Sequence, residues 1–361
     1  MNKQFAPIRL GCNFRKHVRA KQPVFAALLL PLMFAMTLML GQKSGHAATS
    51  YFHVKNGQII DPDGNVFHAR GINVYSSQLS SVVAGPSCNP LVRTFPGINM
   101  IRVEAFAAHY GQHDLNSNAS ASALKPLIQK LSSCRVVVEI EIHDYPKVLS
   151  GPKLSRVLKW YKSLVSAFKN NPYVWFGTQN EPNSKNPSGI MKEQKAIYNT
   201  IRNAGDNTIV MIDTGGAYTT KGLNPSVYAG MKNIVWDAHF YNWMSKYSSN
   251  LATNREVLAN EIKGMQAIRS ADGIIPVIVG EFGDSTNGDR VDPAWRQVVR
   301  AVLTSGHGYL AFAWNGGGKA DRLLNPPYHG GQSDLTAYGR IIARAIASGA
   351  KSGAPDGSHY Q

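Results

Sequence analysis

The chain has 361 residues, of which 43% are hydrophobic and 17% charged, and its formal net charge is +16. That composition excludes a disordered chain and supplies enough apolar material for one large core. Lysine and arginine are scattered without a basic–aromatic cluster, so the positive charge points to solubility and not to a nucleic-acid partner.

Residues 1–23 carry Lys3, Arg9, Arg15, Lys16, Arg19 and Lys21 with no acidic residue, and Val24 to Leu40 is then almost wholly apolar. Gly45, His46, Ala47 and Ala48 come next. The order basic, apolar, small is that of a secretory signal, so residues 1–47 are expected to be a signal peptide and 48–361 one folded domain, secreted or periplasmic. The alternative is an uncleaved anchor, since 17 apolar residues nearly span a bilayer. Residues 1–47 hold seven of the 38 basic residues and none of the 22 acidic ones, so cleavage would lower the charge from +16 to +9. Cys12 would leave as well. Cys88 and Cys134 would remain, either as one disulfide or as two buried thiols.

Downstream, Phe52 to Val54 and Gln58 to Ile60 flank Asn56-Gly57, a strong hairpin pattern that predicts a small plug beneath the main fold. Eight strands are then predicted, beginning with Val66 to Asn73. Asn99 to Phe106, Arg135 to His143, Tyr173 to Glu181, Thr208 to Thr214, Ile234 to Tyr241, Ile275 to Phe282 and Gly308 to Asn315 complete the set. Between them lie amphipathic stretches at Ser122 to Ser133, Leu154 to Lys169, Ile190 to Ala204, Arg255 to Ser270, Pro293 to Thr304 and Ala337 to Ala347. Pro90, Pro96 and Pro225 shorten the helices after the first and fifth strands. Parallel strands need helical crossovers, so the alternation predicts an α/β fold, a single (β/α)8 TIM barrel closed below by the hairpin.

Two of these strands end in a glutamate. Val174 to Gln179 runs into Asn180-Glu181-Pro182, where proline stops the pairing, and Pro276 to Gly280 runs into Glu281. Two carboxylates aimed from strand ends suggest a pair at the barrel mouth. Alternation turns Arg102, Glu104, Glu139, Glu141 and His143 inward, and likewise Asp237, His239, Tyr241 and Trp314. Singly, each has a structural explanation: Arg102 in a buried ion network, the histidines as core residues, Trp314 as filler of the barrel top. Jointly, they converge on the face where barrel chemistry sits.

In these residues the chain resembles glycoside hydrolase family 5, the cellulase family of retaining β-glycosidases. The likeness runs from Arg70-Gly71-Ile72-Asn73 to Trp314 and includes Arg102, His143, Asn180, Glu181, His239, Tyr241, Glu281 and Trp314. It implies Glu181 as acid/base and Glu281 as nucleophile. Arg102, His239 and Tyr241 would tune the carboxylates, Asn180 would hold the sugar 2-hydroxyl, and Trp314 would offer a platform. His143 stands with the supporting set.

The expected activity is endo-β-1,4-glucanase, with endo-β-1,4-mannanase as the runner-up. Aromatics after the strands, namely Tyr75, Phe106, Tyr110, Tyr145, Tyr218, Trp243 and Tyr328, suit a polysaccharide partner. No cofactor or metal is expected, since two histidines are too few for a typical zinc site. The chain should be a monomer, meeting a membrane only if its first segment is retained. A catalytically silent carbohydrate-binding barrel is the reading from another class, and retention of both glutamates argues against it.

Overall fold

The computed structural model describes residues 51–83, 88–105, 117–143, 147–182, 185–214, 219–241, 248–283, 293–315 and 322–352. The basic–apolar–small segment 1–48 lies outside them, as do Phe106, Tyr110, Tyr145, Tyr218 and Trp243.

Asn56 and Gly57 both take positive φ, 54° and 76°, the backbone that a two-residue hairpin turn requires. They join β1 (His53–Lys55) to β2 (Gln58–Ile60) in an antiparallel pair. Then comes β3 (Arg70–Tyr75), leading into the short α1 (Leu79–Val82) and α2 (Asn89–Thr94). The next units are β4 (Met100–Ala105) with α3 (Ala121–Ser133), β5 (Val137–Ile142) with α4 (Gly151–Phe168), and β6 (Val174–Gln179) with α5 (Pro187–Asn203). After β7 (Val210–Asp213) there is only a 3-10 turn at Pro225–Val227 among the described residues, as the prolines require. The chain continues through β8 (Ile234–Tyr241), α6 (Leu251–Gln266) and a small antiparallel pair, β9 (Arg269–Ser270) with β10 (Gly273–Ile274). It ends in β11 (Val277–Gly283), α7 (Pro293–Leu303), β12 (Gly308–Ala311) and α8 (Ala337–Ser352).

Eight strands close into a parallel barrel in the order β11-β12-β3-β4-β5-β6-β7-β8. This is the TIM barrel expected, with each strand end within a residue or two of its predicted place except at β3 and β12. The predicted first strand begins at Val66, but Val66 pairs with Ile60 of the hairpin. The predicted last strand runs to Asn315, whereas pairing ends at Ala311.

Side-chain alternation divides the core in two. Val138, Ile140 and Ile142 of β5 pack outward against the helices, with Val174 and Phe176 of β6. Val137 and Trp175 face inward and join Met100, Met211, Ile278 and Leu310 in the lower barrel. The hairpin seals that layer with Phe52, Val54 and Ile59, the Phe52 ring lying 5.2 Å from that of Trp175. The lower barrel is therefore apolar packing, and the inward polar side chains lie above it.

Candidate active site

Above the apolar layer the barrel interior is charged. Arg102, on β4, is wholly buried and its guanidinium organises the rest. Nη1 donates to Glu281 (2.7 Å) and Asn73 (3.1 Å), Nε to Asp237 (3.1 Å) and Nη2 to Asn180 (2.9 Å). Glu141 and Glu139 stand at 3.6 and 3.8 Å. Five strands besides β4, or the residues just past their ends, thus converge on one side chain.

Room for this layer comes from missing side chains. A Cβ on Gly177 would overlap Glu139 Oε1, and one on Gly280 would overlap Asp237 Oδ1. Regular alternation would put neighbours on opposite faces, yet Asn180 and Glu181 both reach the site. A register shift between Ile140 and Ile142 on the β5–β6 ladder, with Glu181 at φ 43°, aims both inward. A second shift, between Val279 and Glu281 on the β8–β11 ladder, lets Gly280 and Glu281 face the interior together. Both candidate carboxylates therefore stand at bulges, the usual device for re-aiming a side chain beside a site.

An oxygen of Glu181 and one of Glu281 lie within 4.8 Å of each other, with His239 inside the same radius. His239 Nδ1 is 2.9 Å from Glu181 and 3.6 Å from Glu281. Tyr241 donates its hydroxyl to the other oxygen of Glu281 at 2.9 Å. The backbone N–H of Glu181 donates to Asp213 (2.7 Å), which fixes the turn that carries it. His143 Nδ1 is 2.9 Å from Glu141, and Asn180 Nδ2 lies 3.5 Å from the other ring nitrogen.

The protonation pattern results from seven carboxylates crowded round three cationic groups. Burial pushes Glu104 up to about 8 although His143 opposes it, and holds Glu139 and Asp213 well above the usual carboxylate range. In all three, burial favours the protonated form. Burial also opposes charge on the imidazoles, but facing carboxylates prevail. Glu104 and Glu141 push His143 up to about 9, and Glu281 with Asp213 holds His239 well above its usual value. Burial would raise Glu181, but its bond to His239 keeps it below the usual range, and Arg102 does the same for buried Asp237. The proton shared by Glu181 and His239 is therefore drawn toward the imidazole.

Three triads could gather round a cation: Glu104-His143-Glu281, Glu181-His239-Glu281 and Asp213-Asp237-His239. Each counts an imidazole whose pKa is raised by the carboxylates that face it, and Glu281 already accepts from the guanidinium. The donor set is thus better matched to protons than to a metal.

Arg102, His143, Asn180, Glu181, His239, Tyr241 and Glu281 are thus brought together as the alternation and the strand ends suggested. Trp314 is not, and its expected role as a platform is corrected. It is wholly buried outside the strand, tilted against Phe95 (6.3 Å) and Tyr328 (6.0 Å), in the packing between barrel and helices. The alternation that placed it inward ends with β12 at Ala311. Phe312 stands at the mouth instead, half-buried between Tyr75 (6.1 Å) and Tyr241 (6.5 Å). Asn73 and Asp213 escape the sequence reading, although each is a polar residue of an apolar strand on the inward parity. Glu139 and Glu141 belong to the Arg102 network directly. Trp243 lies outside the described residues. Cys88 and Cys134 are joined in a disulfide.

A parallel barrel with two glutamates this close at its mouth limits the families that fit, and one matches. Residues 91–318 match the family model described as Cellulase (glycosyl hydrolase family 5). The chain belongs to glycosyl hydrolase family 5. It is similar to the mannan endo-1,4-beta-mannosidase of Streptomyces lividans, 25% identical over 88% of this chain and 79% of that protein. It is also similar to endoglucanase E-5 of Thermobifida fusca, 21% identical over 63% of this chain and 47% of that protein. Among solved structures, the beta-mannanase from Streptomyces thermolilacinus superposes with a TM-score of 0.62 at 21% identity, covering 82% of this chain and 95% of that one. The family makes this a glycoside hydrolase.

Proposed function

We propose that this chain is a retaining, endo-acting β-1,4-mannan hydrolase, with Glu281 as nucleophile and Glu181 as acid/base. The observation that carries the mechanism is the 4.8 Å limit between their oxygens, too short for a water to attack across the sugar as inversion needs. Arg102 and Tyr241 hold one oxygen each of Glu281, orienting it for attack on the anomeric carbon. A sugar in the mouth displaces water from Glu181, whose 19% exposure makes it the most open carboxylate of the cluster. That desolvation favours moving the shared proton from His239 to Glu181, which gives it to the departing oxygen as Glu281 bonds to carbon. Glu181, now ionised, takes a proton from water. The hydroxide displaces Glu281 and restores the anomeric configuration. Asn180, held by Arg102, stands ready for the sugar 2-hydroxyl, and Phe312 provides the apolar surface that Trp314 does not.

Mannan is preferred because the mannosidase relative matches a larger share of this chain, at higher identity, than the endoglucanase does. This reverses the order expected from the sequence. β-1,4-Glucan is the second reading, supported by the endoglucanase likeness. The test is kcat/KM on soluble mannan against carboxymethylcellulose, with the anomer of the first product followed by NMR. Higher kcat/KM on the cellulose derivative would overturn mannan, and an inverted first product would overturn the mechanism.

We infer also that residues 1–47 direct export and are removed, from their basic–apolar–small order. Exported protein should begin at Ala48 or Thr49 on N-terminal sequencing, and full-length chain in the membrane fraction would overturn this.

A further inference from the structure

A cavity of about 270 Å³ opens at the end of the barrel opposite the catalytic mouth, between the hairpin and the strand feet. Arg70 is the first residue of β3, and Asn99, Arg135 and Tyr173 stand just before β4, β5 and β6. None of these residues has a part in the chemistry at the other end, so the cavity is a separate feature of the fold.

Its charges are unequally satisfied. Arg135 pairs with Asp63 and lies over the Tyr173 ring at 5.9 Å. Arg70 has no ion pair among the described residues, and its buried Nε has no hydrogen-bond partner. Burial lowers its pKa, the sign of a cation in a place that does not solvate it. Asn99 cannot answer it, because its side chain is committed to the backbone, accepting from Arg70 N–H (2.7 Å) and donating to the His68 carbonyl (2.8 Å). Burial and Arg70 hold the His68 imidazole below its usual pKa, so it adds no second positive charge at neutral pH.

The remaining walls define the ligand further. Phe67, Tyr173 and Val66 supply apolar surface, and Val66 is 41% exposed. Asp61 spends Oδ1 on the N–H groups of Asp63 and Asn65. Its Oδ2 has only Asn65 Nδ2 at 3.5 Å, which leaves an acceptor for hydroxyl donors while repelling a second negative charge. One unpaired guanidinium, one acceptor carboxylate and ring faces fit a single carboxylate on a hydroxylated, ring-sized body.

We propose that this cavity binds a sugar acid, a hydroxylated monocarboxylate of monosaccharide size, with its carboxylate on Arg70. The site does not depend on which polysaccharide the mouth cleaves. Saturation-transfer NMR with D-glucuronate on the full chain tests it, with D-glucose and inorganic phosphate as competing probes. Glucuronate should bind with Kd on the order of 1 mM, and the other two at least about tenfold more weakly. Arg70→Gln should weaken glucuronate about tenfold or more, the worth of a charged hydrogen bond, while polysaccharide hydrolysis is unchanged. Val66→Asp places a negative charge on the rim at an exposed position and should weaken glucuronate likewise, so the test stands even if the arginine variant does not fold. Equal binding of glucose, tighter binding of phosphate, no binding of glucuronate, or binding untouched by Val66→Asp would each overturn the proposal.

Discussion

Glu104 is buried to zero exposure, 4.0 Å from Arg102 and 3.6 Å from His143, and neither of its oxygens has a hydrogen-bond partner among the described residues. Burial raises its pKa from 4.5 to about 8. Between those values the folded chain keeps a proton that the unfolded chain releases, so stability falls as pH rises through that window. His143, raised to about 9 by Glu104 and Glu141, acts in the same direction, since its contribution is present below 6.5 and lost toward 9. Glu104→Gln keeps the shape without the titration and weakens the cause of the histidine shift. Denaturant unfolding at about pH 5 and about pH 8 should show a smaller loss for the variant than for the parent. Parallel losses would remove Glu104 from the account. The neighbouring aromatics separate packing from recognition. Trp314→Ala should cost about 3–5 kcal/mol of stability as a large buried deletion. Phe312→Ala should leave the unfolding midpoint nearly unchanged and lower kcat/KM about tenfold, the scale of one ring contact. Loss of stability in the phenylalanine variant, with kinetics intact, would reverse the two roles.

Regular strands transmit position faithfully, and irregular ones carry the paired glutamates. Arg102, His239 and Tyr241 were legible in the sequence because they sit on β4 and β8, whose side chains alternate without interruption up to the mouth. Asn180 and Glu281 were legible as residue types at strand ends, but alternation alone would have put Asn180 and Glu181 on opposite faces. The register shifts that bring them together involve backbone pairing, which leaves no mark in hydrophobic periodicity. Trp314 leaves the inward set for a different reason, because β12 ends at Ala311 and alternation does not continue to it. Glycines at the bulged levels are the physical trace of these departures. Gly280→Ala would drive a methyl into Asp237, which holds Arg102 Nε. It should cost about 1–3 kcal/mol by overpacking and lower kcat as the Arg102–Glu281 contact shifts. Gly230→Ala, where a Cβ meets nothing within 4 Å, is the control and should change neither. An active, stable Gly280→Ala protein would mean that the polar layer is looser than its contacts indicate.

At the scale of the whole chain, the barrel is closed by pairing on every strand, and the hairpin plugs its foot. The covalent tie lies elsewhere. Cys88 immediately precedes α2 and Cys134 immediately follows α3, so their bond joins the excursions on either side of β4, the strand that carries Arg102 and Glu104. The sequence separation is 46 residues, and the chain-entropy account assigns closure of such a loop about 4 kcal/mol. That stabilisation acts by restricting the unfolded chain, and neither cysteine belongs to the Arg102 network or touches the paired glutamates. Reduction, or a Cys88→Ser/Cys134→Ser double variant, should therefore lower the thermal midpoint by several degrees while kcat on polysaccharide at moderate temperature stays close to the parent's. Thiol titration of the unfolded, unreduced chain, after removal of residues 1–47 and with them Cys12, should find no free thiol. Two reactive thiols would deny the bond outright. A fall in kcat without a fall in midpoint would show that the bridge acts on the folded site, positioning β4, and not on the unfolded ensemble.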